Sequence, residues 1–502
     1  MKMKTLVILE VSRKQDYIFS SKRLRDNVRR SAEINHVTSE AFFQKAAEKQ
    51  YHPENMVYSG GGHTILQFES REQAVDFTRQ VTEAAIRQYP QMELFAKVME
   101  YQNNCTPGEN LKKLSAELER KKSFRKSSIR QLTLGVEAKE QPQPFTPQPS
   151  KLDALLEFTG REIPSEFSEL AGEDNFIAVV HIDGNAMGKR VERIYQKVGS
   201  DWENCCKTLR RFSEGIQSDF ETAFRKMVNI LLQKVPLADN QPLPIRPIIL
   251  AGDDVCFVTA GKIGLEAARV FLEQLSGMQN AEDGGYYAAC AGVAMVHIKY
   301  PFHRAYQLSE QLCSSAKVFG SGLDADGAVS AIDWHIEFGQ LKEGLSDIRA
   351  DYRTEDGKRL NLRPLFVCGP QECEKKADVC SYEFFKALCR AFQQEAGKTA
   401  RSKLKQLRGV LKQGQLESEY YLHDREISDL LYHSFEAVYH DKELFSKSFL
   451  WIHLPIHCSC SAADAGIESK LCIGKATVSY CCINDWSRVL SSGRVRRVKP
   501  GC

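Results

Sequence analysis

The sequence of 502 residues has no apolar run approaching the ~18 residues that a membrane-spanning helix needs, so no membrane segment is expected. It has almost no net charge. Its 68 Lys and Arg against 65 Asp and Glu leave +3, which excludes a uniformly basic nucleic-acid binder but not local basic patches. A secretory leader is also missing: the apolar stretch Leu6-Val7-Ile8-Leu9 is short and interrupted by Glu10, so it reads as a strand, and the protein as cytoplasmic. No CxxC spacing occurs among the 16 cysteines, so most read as free thiols in a reducing compartment. What remains is globular in proportion, 42% hydrophobic and 26% charged, with length for roughly three domains.

Residues 5–11 read as a buried strand, followed by a charged helical stretch over 21–50. Two short strands, 56–59 and 64–68, flank Gly60-Gly61-Gly62, where glycines permit a tight hairpin. A helix over 71–89 and a strand over 94–101 complete a ferredoxin-like βαββαβ unit with an antiparallel sheet. Residues 102–174 break the pattern. Eight Lys and Arg against three Glu between Glu109 and Arg130 give a local +5, and Gln141–Pro149 is a proline-rich linker. The same grammar returns from Asn175: strand 176–182, helical sequence 201–235, strands 247–250 and 255–259 around Ala251-Gly252-Asp253-Asp254, helix 263–275, strand 286–297, helix 304–318 and strand 329–335. Residues 339–448 read as largely helical, and 449–502 as a Cys-rich tail without a clear period.

The chemistry concentrates in the second unit. Asp183 ends a buried strand and Asp253-Asp254 sit at a hairpin tip. In a βαββαβ sheet the first strand lies beside that hairpin, so three carboxylates can converge, which is costly unless cations neutralise them. All-oxygen ligation favours Mg2+ or Mn2+, and such ions serve transfer of a nucleotidyl group from a triphosphate. The loop Asp183-Gly184-Asn185-Ala186-Met187-Gly188-Lys189 leads into a helix, where backbone amides can cradle phosphates. Lys317 is a candidate counter-charge. Taken singly, a Gly-Asp-Asp hairpin is a turn and a lysine late in a helix complements its dipole. It is the combination in one unit that points to a site.

Ile182–Lys189, Ala251–Asp254, Cys290–Ala294, Pro301–Tyr306, Leu312–Lys317 and Ser330–His335 together resemble the second palm domain of the large polymerase-like subunit of type III CRISPR effector complexes. Gln15–Phe19 and Arg23–Asp26 resemble the start of that subunit's first palm. The resemblance covers roughly 5–100 and 175–440. It implies an α+β fold: a non-catalytic first palm (1–101), a linker region (102–174), a catalytic second palm (175–338), a helical C-terminal domain (339–448) and a tail. It also implies cyclic oligoadenylate synthesis from ATP with pyrophosphate release. Asp183 and Asp253 would bind metal with Asp254 beside them, and the backbone carbonyl of Ile182 would complete the shell. Gly184, Asn185, Gly188, Gly252 and Lys317, with Gly61 and Gly62 of the first palm, would meet nucleotides, Lys317 as the matching lysine does in GGDEF-type cyclases. Guide or target RNA and other effector subunits are the implied partners.

Two departures stand out. Ala251 replaces the first glycine of the Gly-Gly-Asp-Asp motif, which strains the chain if that position needs positive φ and is harmless if it is extended. The sequence also starts at the first palm, so an HD nuclease domain and DNase activity are not expected. Rival readings are a nucleotide- and RNA-binding scaffold of a type III complex, and a stand-alone cyclic-nucleotide synthase. Cys368, Cys373 and Cys380, and His457-Cys458 with Cys460, Cys472, Cys481 and Cys482, lack paired zinc spacing and read as thiols. Basic clusters at 22–30 and 398–412 offer RNA or protein docking faces.

Overall fold

A computed structural model describes residues 4–123, 151–171, 175–235, 237–238, 241–338, 342–355, 357, 360–377, 380–387 and 401–426. The first unit grows from β1 (Thr5–Ser12), in which Leu6, Val7, Ile8 and Leu9 are all fully buried. There follow α1 (Lys14–Ile18), α2 (Leu24–Val37), α3 (Glu40–Ala46), β2 (Met56–Gly60), β3 (His63–Phe68), α4 (Arg71–Gln88), β4 (Glu93–Glu100) and α5 (Pro107–Ser123). Serine side chains start two of the helices: Ser39 accepts from the Phe42 amide and Ser70 from the Gln73 amide. The sheet runs β2-β3-β1-β4 and is antiparallel throughout, the ferredoxin-like order expected.

Regularity continues past residue 101, where the sequence suggests a break. α5 packs on β4 and β1 through Leu111, Leu114 and Leu118, which share one helical face beneath the charge. The proline-rich stretch lies outside the described residues. Two short helices, α6 (Lys151–Ala154) and α7 (Phe167–Ala171), precede the second unit.

That unit consists of β5 (Phe176–Gly184), α8 (Met187–Val198), α9 (Trp202–Lys234), β6 (Ile245–Ala251), β7 (Asp254–Ala260), α10 (Gly264–Ser276), β8 (Ala289–His297), α11 (Phe302–Leu323) and β9 (Ser330–Ile336). Beyond it come α12 (Leu345–Ala350), β10 (Leu365–Cys368), α13 (Gln371–Ala377), α14 (Arg401–Gln413) and α15 (Gln415–Asp424). The sheet order is β10-β9-β8-β5-β7-β6. The four strands β8-β5-β7-β6 repeat the first unit's order, and β9 is added parallel to β8 through the α11 crossover. The region expected to be mainly helical therefore also supplies the edge strand β10.

β5 is buried on both faces because helices clamp it from both sides. A Cβ on Gly264 of α10 would stand 2.1 Å from Ala178 Cβ, on one face. On the other face, a Cβ on Gly292 of β8 would stand 1.9 Å from the Ser309 carbonyl oxygen of α11. The units meet through Phe19, whose ring lies 4.0 Å from Tyr306 and 5.5 Å from Phe302. Trp202 Nε1 also donates to Gln67 Oε1 at 2.7 Å.

Candidate active site between the two units

Register brings the expected carboxylates together. Asp183 of β5 stands directly opposite Asp254, the first residue of β7, and Asp253 fills the turn from β6. Positive φ falls on Gly252, at 66°, whereas Ala251 is extended and pairs with Asp254. The alanine is thus unstrained. Gln217 of α9 braces the turn: its Oε1 accepts from the Gly252 amide at 2.6 Å and its Nε2 donates to the Leu250 carbonyl at 3.1 Å. The Gly184 amide donates to the Asp253 carbonyl at 3.1 Å, and a Cβ on Gly184 would lie 2.8 Å from Asp253 Cβ. Glycine at 184 therefore serves the close approach of the hairpin.

The electrostatics are those of crowded acids with Lys317 among them. Lys317 Nζ donates to Asp183 Oδ2 at 2.6 Å and to the Gly184 carbonyl at 3.2 Å. Burial disfavours that ammonium, but the Asp183 bond and charge outweigh it and its pKa is raised. Burial and the Asp183 charge push Asp253 up to about 6 and Asp254 up to about 7. The Asp254 side chain is partly open, yet its Oδ1 is closed from solvent and has no hydrogen-bond partner.

The loop after β5 is fixed from two sides. The Asn185 amide nitrogen donates to the Ala288 carbonyl at 2.8 Å, and its side-chain Nδ2 donates to the Val329 carbonyl at 2.7 Å. Asn185 thus holds the loop in place. Ala186 takes the left-handed conformation, φ 57°, at the start of α8. A Cβ on Gly188 would meet nothing within 4 Å, so the first turn of α8 is open. Lys189 Nζ donates to the Ala325 carbonyl at 2.7 Å. Ile182 lies fully buried in mid-sheet, opposite Val255 and Ala291.

The first unit faces this site hairpin to hairpin. Gly61 and Gly62 have φ 58° and 75°. A Cβ on Gly61 would lie 3.7 Å from the Ala251 carbonyl oxygen, and one on Gly62 would lie 2.6 Å from Ile34 Cγ2. Between the units lies a cavity of about 730 Å3, lined by Gly60 and Gly61 on one side and Arg210, Ser213, Gln217 and Ala251 on the other. Sequence reasoning missed Lys14. Its Nζ donates to the Gly61 carbonyl at 2.5 Å; burial lowers its pKa, while Glu10 and Asp254 of the facing unit raise it. Nothing local marks this lysine, since only packing of the units brings it to the site. The first unit repeats the second in a degenerate form. Glu10 opposes His63, as Asp183 opposes Asp254, and it pairs with Lys122 of α5 at 2.9 Å, as Asp183 pairs with Lys317 of α11. His63 is pushed down to about 4 by burial.

Among the described residues, no group of three or more His, Cys, Asp or Glu side chains could hold a metal ion as it stands. Lys317 already occupies Asp183. The donor set still suits a hard cation: all its acceptors are oxygens, and burial together with the Asp183 charge disfavours the ionised forms of Asp253 and Asp254, a penalty that a cation would relieve. Every described cysteine is a free thiol, including Cys368, Cys373 and Cys380; the tail cysteines lie outside the described residues. The N-terminal basic cluster is largely committed: Arg29 reaches Asp26 and Glu33, Arg30 donates to the Tyr17 carbonyl, and Arg25 faces Glu166. Of the second basic cluster, Lys403 donates to the Arg425 carbonyl. No helix among the described residues is long and apolar enough to cross a membrane.

Residues 176–321, from β5 to within α11 of the second unit, match the protein-family model described as Cas10/Cmr2, second palm domain. No curated protein matches the sequence. Among solved structures, the chain is similar to the Csm1–Csm4 cassette in complex with cA4, at 14% identity and a TM-score of 0.55 over 97% of this chain and 70% of that one. It is likewise similar to the cassette in complex with pppApApA, at 14% identity and 0.54 over 97% and 69%. The Csm1–Csm4 subcomplex of the type III-A CRISPR-Csm interference complex also matches, at 14% identity and 0.54 over 98% and 70%. At this identity the likeness is one of fold. Across these cassettes the chain spans 56% to 70% of the solved chain.

Proposed function

We propose, from a Cas10/Cmr2-type second palm whose three carboxylates meet one lysine where two palms face each other, that the chain is a nucleotidyltransferase making cyclic oligoadenylate from ATP in type III CRISPR defence. The 3′-hydroxyl of one nucleotide attacks the α-phosphate of another. A P–O bond forms, the bond to pyrophosphate breaks, and the hydroxyl proton leaves. Mg2+ or Mn2+, held by Asp183, Asp253 and Asp254, would activate the hydroxyl and neutralise the phosphates. Lys317 would exchange Asp183 for a phosphate oxygen, and the open first turn of α8 at Gly188 would offer amides to the same group. The interpalm cavity, with Gly60 and Gly61 on one wall, would hold the second nucleotide.

The observation that carries the reading is the register pairing of Asp183 with Asp254 beside the Asp253 turn. That the solved relatives are cassettes with Csm4, crystallised with cA4 and pppApApA, supports it and suggests effector subunits and RNA as partners. The test is incubation with ATP, and separately with GTP, plus Mg2+ or Mn2+, with and without RNA, followed by mass spectrometry of the products. Cyclic oligoadenylate that disappears in Asp253→Ala is expected. A folded protein that releases no pyrophosphate under any of these conditions is a scaffold instead, and a product from GTP indicates a different cyclase.

A further inference from the structure

We infer that His181 and Tyr306 are positioning residues that set the carboxylate of Asp254, an inference that rests on the carboxylate site proposed above. His181 lies two residues before Asp183 on β5, so both side chains point to the same face of the sheet. Its partner across the sheet is Cys256, two residues beyond Asp254 on β7, which makes Asp254 its diagonal neighbour. His181 is 8% exposed and Tyr306 1%. Nδ1 of His181 stands 3.7 Å from Oδ1 of Asp254. Both atoms are closed from solvent and lack a hydrogen-bond partner; the Tyr306 hydroxyl is also closed from solvent, with the Glu310 carboxylate beside it. The Tyr306 ring stands edge-on to the imidazole at 5.6 Å, and the Phe19 ring of the first palm backs it at 4.0 Å.

An unpartnered buried polar atom is destabilising, and Leu or Phe would fill these positions without that cost. An unpartnered imidazole nitrogen facing an unpartnered carboxylate oxygen is accounted for if the first acts on the second. A gap of 3.7 Å is closed by a small side-chain rotation. Holding Oδ1 toward His181 leaves Oδ2 as the oxygen that Asp254 offers to a cation. Partners standing behind a ligand in this way typically change metal affinity or activity ~10–100-fold.

The test uses the full chain with His181→Leu, His181→Asn, Tyr306→Phe and Asp254→Asn, each checked for native circular dichroism. Two readouts are taken: the kcat and KM of pyrophosphate release, and Mn2+ binding followed by electron paramagnetic resonance without nucleotide. His181→Leu is expected to lower kcat and weaken Mn2+ binding by about tenfold or more with little change in KM for ATP. Asn, whose side-chain amide can take the place of Nδ1, restores most of both, and Tyr306→Phe gives a smaller loss in the same direction. Wild-type Mn2+ binding and kcat in His181→Leu overturn the inference, as does an Asn variant no better than Leu. If Asp254→Asn itself leaves both readouts unchanged, the carboxylate reading fails, and the inference with it. If Asp254→Asn loses both and His181→Leu neither, only the inference fails.

Discussion

Alanine at 251 does not weaken the hairpin, because the left-handed residue of the turn is Gly252. Ala251→Gly would add backbone freedom to the unfolded chain without relieving strain. It should destabilise the protein by about 0.5–1 kcal/mol and leave ATP turnover within about twofold of wild type. A large gain in turnover would show that the alanine impairs the site. The acids make a pH-dependent prediction. Asp253 and Asp254 titrate near 6 and 7 when folded and near ~3.9 when unfolded. Their folded-state pKa values are raised, so between about pH 4 and 7 the folded chain holds protons that the unfolded chain has lost. Their contribution to stability therefore falls as pH rises through that window. In chelator, Asp254→Asn should melt above wild type by a margin that widens from about pH 5 to about pH 8 by scanning calorimetry. Parallel melting curves would mean that Asp254 ionises without penalty.

At the scale of elements, the site depends on how closely α11 lies on β8. A methyl group at Gly292 would stand 1.9 Å from the Ser309 carbonyl oxygen and 2.3 Å from the Cys313 amide nitrogen. Gly292→Ala must therefore lift the helix that carries both Lys317 and Tyr306. Overpacking of this kind costs about 1–3 kcal/mol, and here the obstacle is backbone. The variant should show a melting temperature lowered by several degrees and at least tenfold less turnover; wild-type values for both would show that the helix has another seat. Much of this was legible in advance. The runs Leu6–Leu9 and Ile177–Ile182 can be read as strands because both faces are buried, and the Gly252-Asp253 turn because only glycine suits it. Less legible was α5, whose apolar positions 111, 114 and 118 lie among charges. β10 was missed because a four-residue edge strand carries too few residues to show a period. His181 and Lys14 acquire roles only from register and from the packing of one palm on another, neither of which a local pattern encodes.

At the scale of the molecule, the proposed site draws on both units, because their hairpin turns meet and because Phe19, just after α1 of one, packs on α11 of the other. Phe19 is the joint: it is 4% exposed and stacks on Tyr306, which in turn lies against His181 beside Asp254. Truncating it removes about 3–5 kcal/mol of burial and packing, typical of a core Phe→Ala change. If each palm worked alone, that loss would appear only as lower stability, with the surviving folded protein turning over ATP normally below its melting point. If the palms share the site, Phe19→Ala should also raise KM for ATP and lower kcat at temperatures where the protein is fully folded, because the Gly61 turn and Lys14 no longer stand opposite Asp254. Phe19→Leu, which refills most of the volume, should recover both. Equal turnover per folded molecule in Phe19→Ala and wild type would show that the second palm needs nothing from the first. Loss of turnover rescued by leucine would show that the first unit, with His63 where the second has Asp254, is half of the catalytic chamber.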